Sequence, residues 1–380
     1  MKIALITDGI WPYVLGGMQK HSYYLCKYLA QKKVQVHLYH FNQSTYDIPK
    51  LEFFTLEEKQ YITSIIVDFP KGGALPGHYI RNSYAHSKLI FEALKDKLQS
   101  YDFIYTKGFT GWYLIEQKNA GKIKCAKIGV KFHGYEMFQK APDLKTKLQH
   151  VSLLRKPVKE ISQTADVVFS YGGKITEIIL SIGVDPKHII ELPSGVEHNT
   201  VLKEIRPTGE TLKFLFLGRY ERRKGIEELN SAIQLLSKDH NRKTEFHFIG
   251  PIPTEKQLKD IRVIYHGEIR DKIKLTEQIK NCDVLICPSW SEGMPNVILE
   301  AMANGLTVLA TDVGAVNVLV NDKTGYLISN SNPEVIRSML DKIITSRDKE
   351  IDAKKHNALD LIKEKFVWEI LIEKLINFVK

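Results

Sequence analysis

The 380-residue sequence has only four cysteines, Cys26, Cys125, Cys282 and Cys287. Their spacing fits no disulfide framework, so a reducing, cytosolic setting is expected. Cys282 and Cys287 share one strand–helix segment, where a buried strand accounts for them better than metal ligation. No apolar run approaches the roughly 18 residues that argue a transmembrane helix, so no membrane span is expected. The opening Met1-Lys-Ile-Ala-Leu-Ile6 is apolar, but Asp8 stops it too early for a signal peptide. Low-complexity segments and short-period repeats are also missing. Neither half carries a G-x-G-x-x-G turn with an acidic residue at the proper distance, which argues against a nicotinamide dehydrogenase.

What is present is ordinary for a globular chain: 43% hydrophobic and 26% charged residues. A chain of 380 residues exceeds the size at which one core usually splits, so two domains are expected. The net charge of +10 is shared unequally. Residues 1–190 hold 26 Lys and Arg against 16 Asp and Glu, leaving 28 and 28 for residues 191–380. A surplus confined to the first half suggests an anionic partner for it, such as membrane lipid, a lipid-diphosphate acceptor or nucleic acid. No nucleic-acid recognition motif accompanies the charge, so no nucleic-acid partner is expected. A lysine-rich solvated surface is the plainer alternative.

The most informative stretch is Pro288-Ser-Trp-Ser-Glu-Gly-Met-Pro-Asn-Val-Ile-Leu-Glu-Ala-Met-Ala303. Apolar runs on either side, Asp283–Pro288 and Leu306–Thr311, read as buried parallel strands flanking a helix in a βαβ unit. Pro295 suits the first helical position, where its missing N–H costs nothing. Glu292 then stands at a strand's carboxyl end beside a helix N-terminus, where open α/β sheets bind ligands and backbone amides attract anions. Glu300 falls inside the helix, where a carboxylate can accept two hydrogen bonds from a vicinal diol such as a ribose, or can simply be solvated. Upstream, the apolar run Lys213–Leu217 ends in Gly218-Arg219, and Lys224-Gly225 precedes a second helical pattern. Two cations at a strand–helix turn suit a diphosphate, Arg219 as a planar fork and Lys224 as a point charge.

The N-terminal half reads as a second doubly wound domain. Candidate strands are Lys2–Thr7, Val34–Phe41, Ile62–Phe69, Phe103–Lys107, Ala126–Phe132, Val167–Tyr171 and Ile189–Leu192, with helical patterns between several of them. Gly16-Gly17 follows the first strand and opens a helix, allowing backbone amides to approach a ligand closely. His133 ends another strand, a position where a lone histidine often serves the fold. Leu144, Leu148, Val151 and Leu154 form an apolar stripe among lysines; the stripe suits either interfacial docking or packing on its own domain.

In order, Gly218-Arg219…Lys224-Gly225, Phe248-Ile-Gly250, Val263–Gly267, Cys282–Ser289, Glu292-x7-Glu300, Ala310–Gly314 and Thr324–Leu327 resemble the family 4 (GT4) retaining glycosyltransferases. Thr307 departs from the proline common there. The resemblance implies an α/β chain of the GT-B fold, with two Rossmann-like doubly wound domains facing a central cleft and a C-terminal helix crossing back to the N-terminal domain. It implies an N-terminal acceptor domain over 1–193, a donor domain over 194–364 and the returning helix over 365–380, the last announced by Phe366-Val-Trp368.

It also implies transfer of a hexose or N-acetylhexosamine, with retention, from a UDP- or GDP-linked sugar to a saccharide or lipid-linked saccharide acceptor, as in cell-surface polysaccharide or glycolipid assembly. Arg219, Lys224, Glu292 and His133 would be the catalytic group. Gly16, Gly17, Gly218, Gly293, Asn296, Val297, Ile298 and Glu300 would bind the donor, and Glu136 the acceptor. No Asp-x-Asp occurs in the chain, so no metal and no cofactor are expected, with the cations and helix N-termini neutralising the leaving diphosphate. The expected location is the cytoplasm, with the basic half able to rest on an anionic membrane surface. Another GT-B enzyme, such as a sugar-nucleotide epimerase, and a non-catalytic nucleotide-sugar-binding subunit stay open as alternatives.

Overall fold

A computed structural model describes residues 1–14, 16–41, 51–70, 72, 77–237 and 240–380. The chain divides into two compact units. Unit 1 comprises Met1–Phe138, Leu148–Pro193 and Trp368–Lys380, and unit 2 comprises Gln139–Lys147 and Ser194–Val367.

Among the described residues, unit 1 holds seven strands: β1 (Lys2–Ile6), β2 (Gln35–His40), β3 (Ile62–Ile66), β4 (Phe103–Lys107), β5 (Lys127–Lys131), β6 (Val167–Ser170) and β7 (Ile189–Glu191). They form one parallel sheet in the order β3-β2-β1-β4-β5-β6-β7. β1, β4 and β6 are buried almost end to end, as continuous apolar runs require when helices cover both faces. The strand order reverses between β1 and β4, and a doubly wound sheet binds its ligands outside the carboxyl ends of the strands at such a point. The helix Gly17–Gln31 follows β1, and its buried face joins a core that includes Leu5, Leu25, Leu29 and Phe169.

The last helix, Trp368–Val379, belongs to this core, which explains why the chain's end returns to unit 1. Trp368 is only 1% exposed; its indole stacks on Tyr24 and Tyr28 at 5.8 and 6.1 Å and meets the His21 ring edge-on at 5.1 Å. Leu371, Ile372 and Leu375 fill the helical positions beneath it.

Unit 2 holds β8 (Leu212–Leu217), β9 (Thr244–Ile249), β10 (Val263–Gly267), β11 (Val284–Cys287), β12 (Thr307–Thr311) and β13 (Gly325–Ile328). The sheet is again parallel, in the order β10-β9-β8-β11-β12-β13, and reverses between β8 and β11. One layer of the core comes from the helices Ile226–Leu235 and Pro333–Thr345, whose Ile233, Ile336, Leu340 and Ile343 pack on Phe214, Phe246 and Ile286. Asp283 is fully buried just before β11 and is held by Arg206 at 2.8 Å, by Lys355 at 3.2 Å and by the Lys213 N–H at 3.0 Å. A buried carboxylate with three partners is satisfied within the fold, which marks Asp283 as structural.

Candidate active site

β8 is followed by Gly218-Arg219, and a short 3-10 turn, Arg222–Lys224, leads into the helix Ile226–Leu235. β11 ends in the turn Pro288–Pro295, which leads into the helix Asn296–Ala303. Because β8 and β11 are neighbours, these two turns meet at the switch point of unit 2. The Trp290 N–H donates to the Arg223 carbonyl at 2.9 Å. Gly225 (φ 68°) lies against Pro288 so closely that a side chain there would strike the proline carbonyl.

Glu292 is the centre of this junction and is only 5% exposed. Its Oε1 accepts from Lys224 Nζ at 2.6 Å and from Ser289 Oγ at 2.8 Å, while Oε2 lies 3.2 Å from Arg223 Nη1. Burial pushes the Glu292 carboxyl towards the neutral acid, yet Lys224, Arg223 and the bonds from Lys224 and Ser289 together outweigh it. The pKa is therefore held below the ordinary 4.5, and the group is a carboxylate at neutral pH. Its backbone is fixed as well: Gln139 accepts from the Glu292 N–H at 3.3 Å and donates to its carbonyl at 2.6 Å. Gly314, at φ 55°, packs against the carbonyls of Glu292 and Gly293, and the Ala315 N–H donates to Gly293 at 2.7 Å.

The other residues singled out in unit 2 are spread around this pair. Glu300 is the fifth residue of its helix and half-buried, Ile298 is fully buried, and Asn296 and Val297 are partly exposed in the first turn. Asn296 Oδ1 accepts from Ser194 Oγ at 3.3 Å. The Gly218 N–H donates to Ile249 at 3.0 Å. Arg219 stands apart: its side chain is 73% exposed and its guanidinium lies 2.8 Å from Glu221. The structure thus brings Lys224 onto Glu292, and the second cation there is Arg223 rather than Arg219.

In unit 1, Gly16 and Gly17 are exposed at the N-terminus of the helix Gly17–Gln31. His133 follows β5 half-buried, with Nδ1 2.9 Å from the Tyr171 hydroxyl. Glu136 begins a short 3-10 turn, and its carboxylate folds back over Gly134. Beneath them lies a cluster not singled out from the sequence. Lys107, at the end of β4, is 2% exposed, reaches His21 Nδ1 at 2.8 Å and donates to the Met18 carbonyl at 3.3 Å. Lys131, also buried, donates to the Leu192 carbonyl and lies 3.8 Å from the centre of the Tyr171 ring.

Three residues bearing on Glu292 escaped the sequence reading. Arg223 lay in plain view in the basic run before Gly225, and Ser289 inside the main motif. Gln139, 153 positions from Glu292, gave no local signal. Among the described residues, no group of three or more His, Cys, Asp and Glu side chains is placed to hold a metal ion. Among them, too, no helix is long and apolar enough to cross a membrane.

Two parallel doubly wound units, the last helix returning to the first, define the GT-B class of fold. Solved structures bear this out. Sucrose-phosphate synthase from Thermosynechococcus elongatus superposes with a TM-score of 0.77 at 18% identity, over 99% of this chain and 98% of that one. Anabaena Alr3699/HepE in complex with UDP gives 0.70 at 16%, over 100% and 99%.

The family model for glycosyl transferases group 1 matches residues 211–346, which include β8 to β13 and every residue placed around Glu292 except Gln139 and Ser194. Among curated proteins, the capsular polysaccharide biosynthesis glycosyltransferase CapM of Staphylococcus aureus is 28% identical over 42% of this chain and 43% of its own length. The D-inositol 3-phosphate glycosyltransferase of Paenarthrobacter aurescens is 27% identical over 49% of each. The chain spans about half the length of these two relatives. An uncharacterized glycosyltransferase of Methanocaldococcus jannaschii, MJ1178, is 26% identical over 92% of this chain and 90% of its own. Residues 211–346 thus match the group 1 glycosyl transferase family, and the whole chain has the GT-B fold.

Proposed function

We propose that the chain moves a hexose or N-acetylhexosamine, with retention, from a UDP- or GDP-linked sugar to an acceptor hydroxyl in the assembly of a cell-surface polysaccharide or glycolipid. The observation that carries this reading is the buried carboxylate of Glu292, bridged to Lys224 and Arg223 at the switch point of unit 2. A deprotonated carboxylate cannot serve as the general acid of a glycosidase-like mechanism, and one drawn onto two cations is a weakened nucleophile. It is suited to fixing Lys224 and accepting hydrogen bonds from sugar hydroxyls. Retention then follows from front-face attack by the acceptor, whose proton passes to the departing phosphate oxygen.

In this reading Lys224, Arg223 and Arg219 neutralise the leaving diphosphate without a metal, the last by exchanging Glu221 for phosphate. Glu300 holds the ribose diol. Gly218, Gly293 and the start of the helix Asn296–Ala303, with Asn296, Val297 and Ile298, offer amides and packing to phosphate and nucleoside. On unit 1, Gly16, Gly17 and His133 bind the donor sugar and Glu136 the acceptor. CapM is named for capsular polysaccharide biosynthesis, and HepE has been captured with UDP; these favour a polysaccharide acceptor and UDP as the first nucleotide to test. The exposed Leu148 and Val151, near Lys156 and Lys159, suit docking at an anionic inner membrane face, where a lipid-linked acceptor would be presented.

The test supplies UDP-glucose, UDP-galactose, UDP-N-acetylglucosamine and GDP-mannose, with EDTA present, to the protein and a panel of saccharide and lipid-linked acceptors. Transfer from one donor, with the anomeric configuration kept by NMR, is the expected result. Free sugar produced without any acceptor would replace this reading with that of an epimerase-type enzyme.

A further inference from the structure

Unit 2 contains a cavity of about 460 Å³ that none of the residues assigned above to the donor lines. It opens where the helices Ile226–Leu235 and Pro333–Thr345 begin, and Trp290 forms one wall. Two polar groups in this wall lack partners among the described residues. Glu228 is only 7% exposed; its Oε1 meets Arg222 at 2.5 Å, but Oε2 has no hydrogen-bond donor. The Trp290 indole N–H has no acceptor. Buried polar atoms left unpaired in a fold cost stability, and here an acceptor and a donor of this kind belong to two residues that line one cavity.

The remaining lining narrows the chemistry. Ser231, Ser331 and Asn332 add hydroxyls and an amide. Charge is balanced: Glu228 faces Arg222, and Lys140 and Arg222 lie over the Trp290 ring at 5.1 and 5.5 Å. An anionic ligand would meet the carboxylates of Glu227 and Glu228, and a cationic one would meet Lys140 and Arg222. A neutral polyol meets neither penalty. Each of its hydroxyls both donates and accepts, and its C–H faces suit an aromatic wall.

We propose that this cavity is a second, neutral-saccharide subsite, separate from the nucleotide-sugar site and filled by sugar rings of a glycan rather than by the donor. The assignment rests on the cavity itself and not on the donor reading.

The experiment is saturation-transfer NMR on the full chain with maltose, cellobiose, lactose and N,N′-diacetylchitobiose, each with and without excess UDP. Two variants accompany it: Ser231→Trp, which fills the cavity from the helix side, and Glu228→Gln, which keeps the shape and removes the charge. The melting-temperature shift caused by UDP, recorded on every variant, reports an intact fold and donor site. The proposal predicts transfer to at least one disaccharide, undisturbed by UDP and reduced at least fivefold in Ser231→Trp, with Glu228→Gln weaker than the parent. It is overturned if no disaccharide responds, if UDP displaces the one that does, or if its signal survives in both variants. Loss of the UDP response in the parent protein, with saccharide binding intact, counts against the donor reading alone.

Discussion

Burial of Glu292 pushes its carboxyl towards the neutral acid, because desolvation disfavours its charge. Lys224, Arg223 and Ser289 reverse that preference, and the same contacts fix the ammonium of Lys224 in place. Lys224→Ala is expected to lower turnover by about 10²–10³, the effect of removing one preorganised charge from a transition state, with the circular dichroism spectrum retained. Arg223→Ala should lose activity comparably in the same assay, although only Lys224 carries the sequence signal.

Protonation adds a second prediction. In unit 1, burial raises Asp8 to about 6 against the pull of Lys107, and burial lowers Lys107 to about 7 against Asp8. Between 3.8 and 6 the folded state binds more protons at Asp8, so this group makes stability fall as pH rises. Between 7 and 10.5 the unfolded state binds more protons at Lys107, so stability rises with pH there. Urea titrations at stepped pH should show both slopes, and Asp8→Asn combined with Lys107→Met should flatten them; an unchanged profile would refute the assignment.

At the scale of elements, strands such as β6, β11 and β12 were legible because each is a buried, largely apolar run bounded by turn residues, the pattern of parallel strands covered on both faces. The helix Asn296–Ala303 was equally plain from its position between two such runs. What escaped was whatever depends on distant segments meeting. Gln139 clamps the backbone of Glu292 from 153 positions away, and nothing in its surroundings announces it. The sequence pairs Arg219 with Lys224 at the strand–helix turn, whereas Arg223 was not singled out although the 3-10 turn Arg222–Lys224 brings it onto Glu292 together with Lys224. Gly314 shows how tightly neighbouring turns are fitted. A β-carbon there meets both a left-handed backbone and the carbonyls of Glu292 and Gly293. Gly314→Ala should cost more than about 1 kcal/mol by chemical denaturation and lower activity with it.

At the scale of the whole chain, the C-terminal helix ties the last residues into the core of unit 1, as the closing Phe366-Val-Trp368 led one to expect. Trp368 supplies the largest fully buried side chain of that core, stacked on Tyr24 and Tyr28. Trp368→Ala should destabilise unit 1 by about 3–5 kcal/mol, read as a fall in that unit's unfolding transition.

The central claim is that unit 2 binds a nucleoside-diphosphate sugar through Lys224, Glu292 and Glu300. The direct measurement is isothermal calorimetry of the purified chain, without metal, against UDP, GDP and their common sugar conjugates, repeated on Glu300→Ala and Lys224→Ala. The account predicts binding of one nucleotide and its conjugates, sharply weakened in Glu300→Ala through the ribose and in Lys224→Ala through the diphosphate. Binding of none of them, or binding that both substitutions leave untouched, would contradict it.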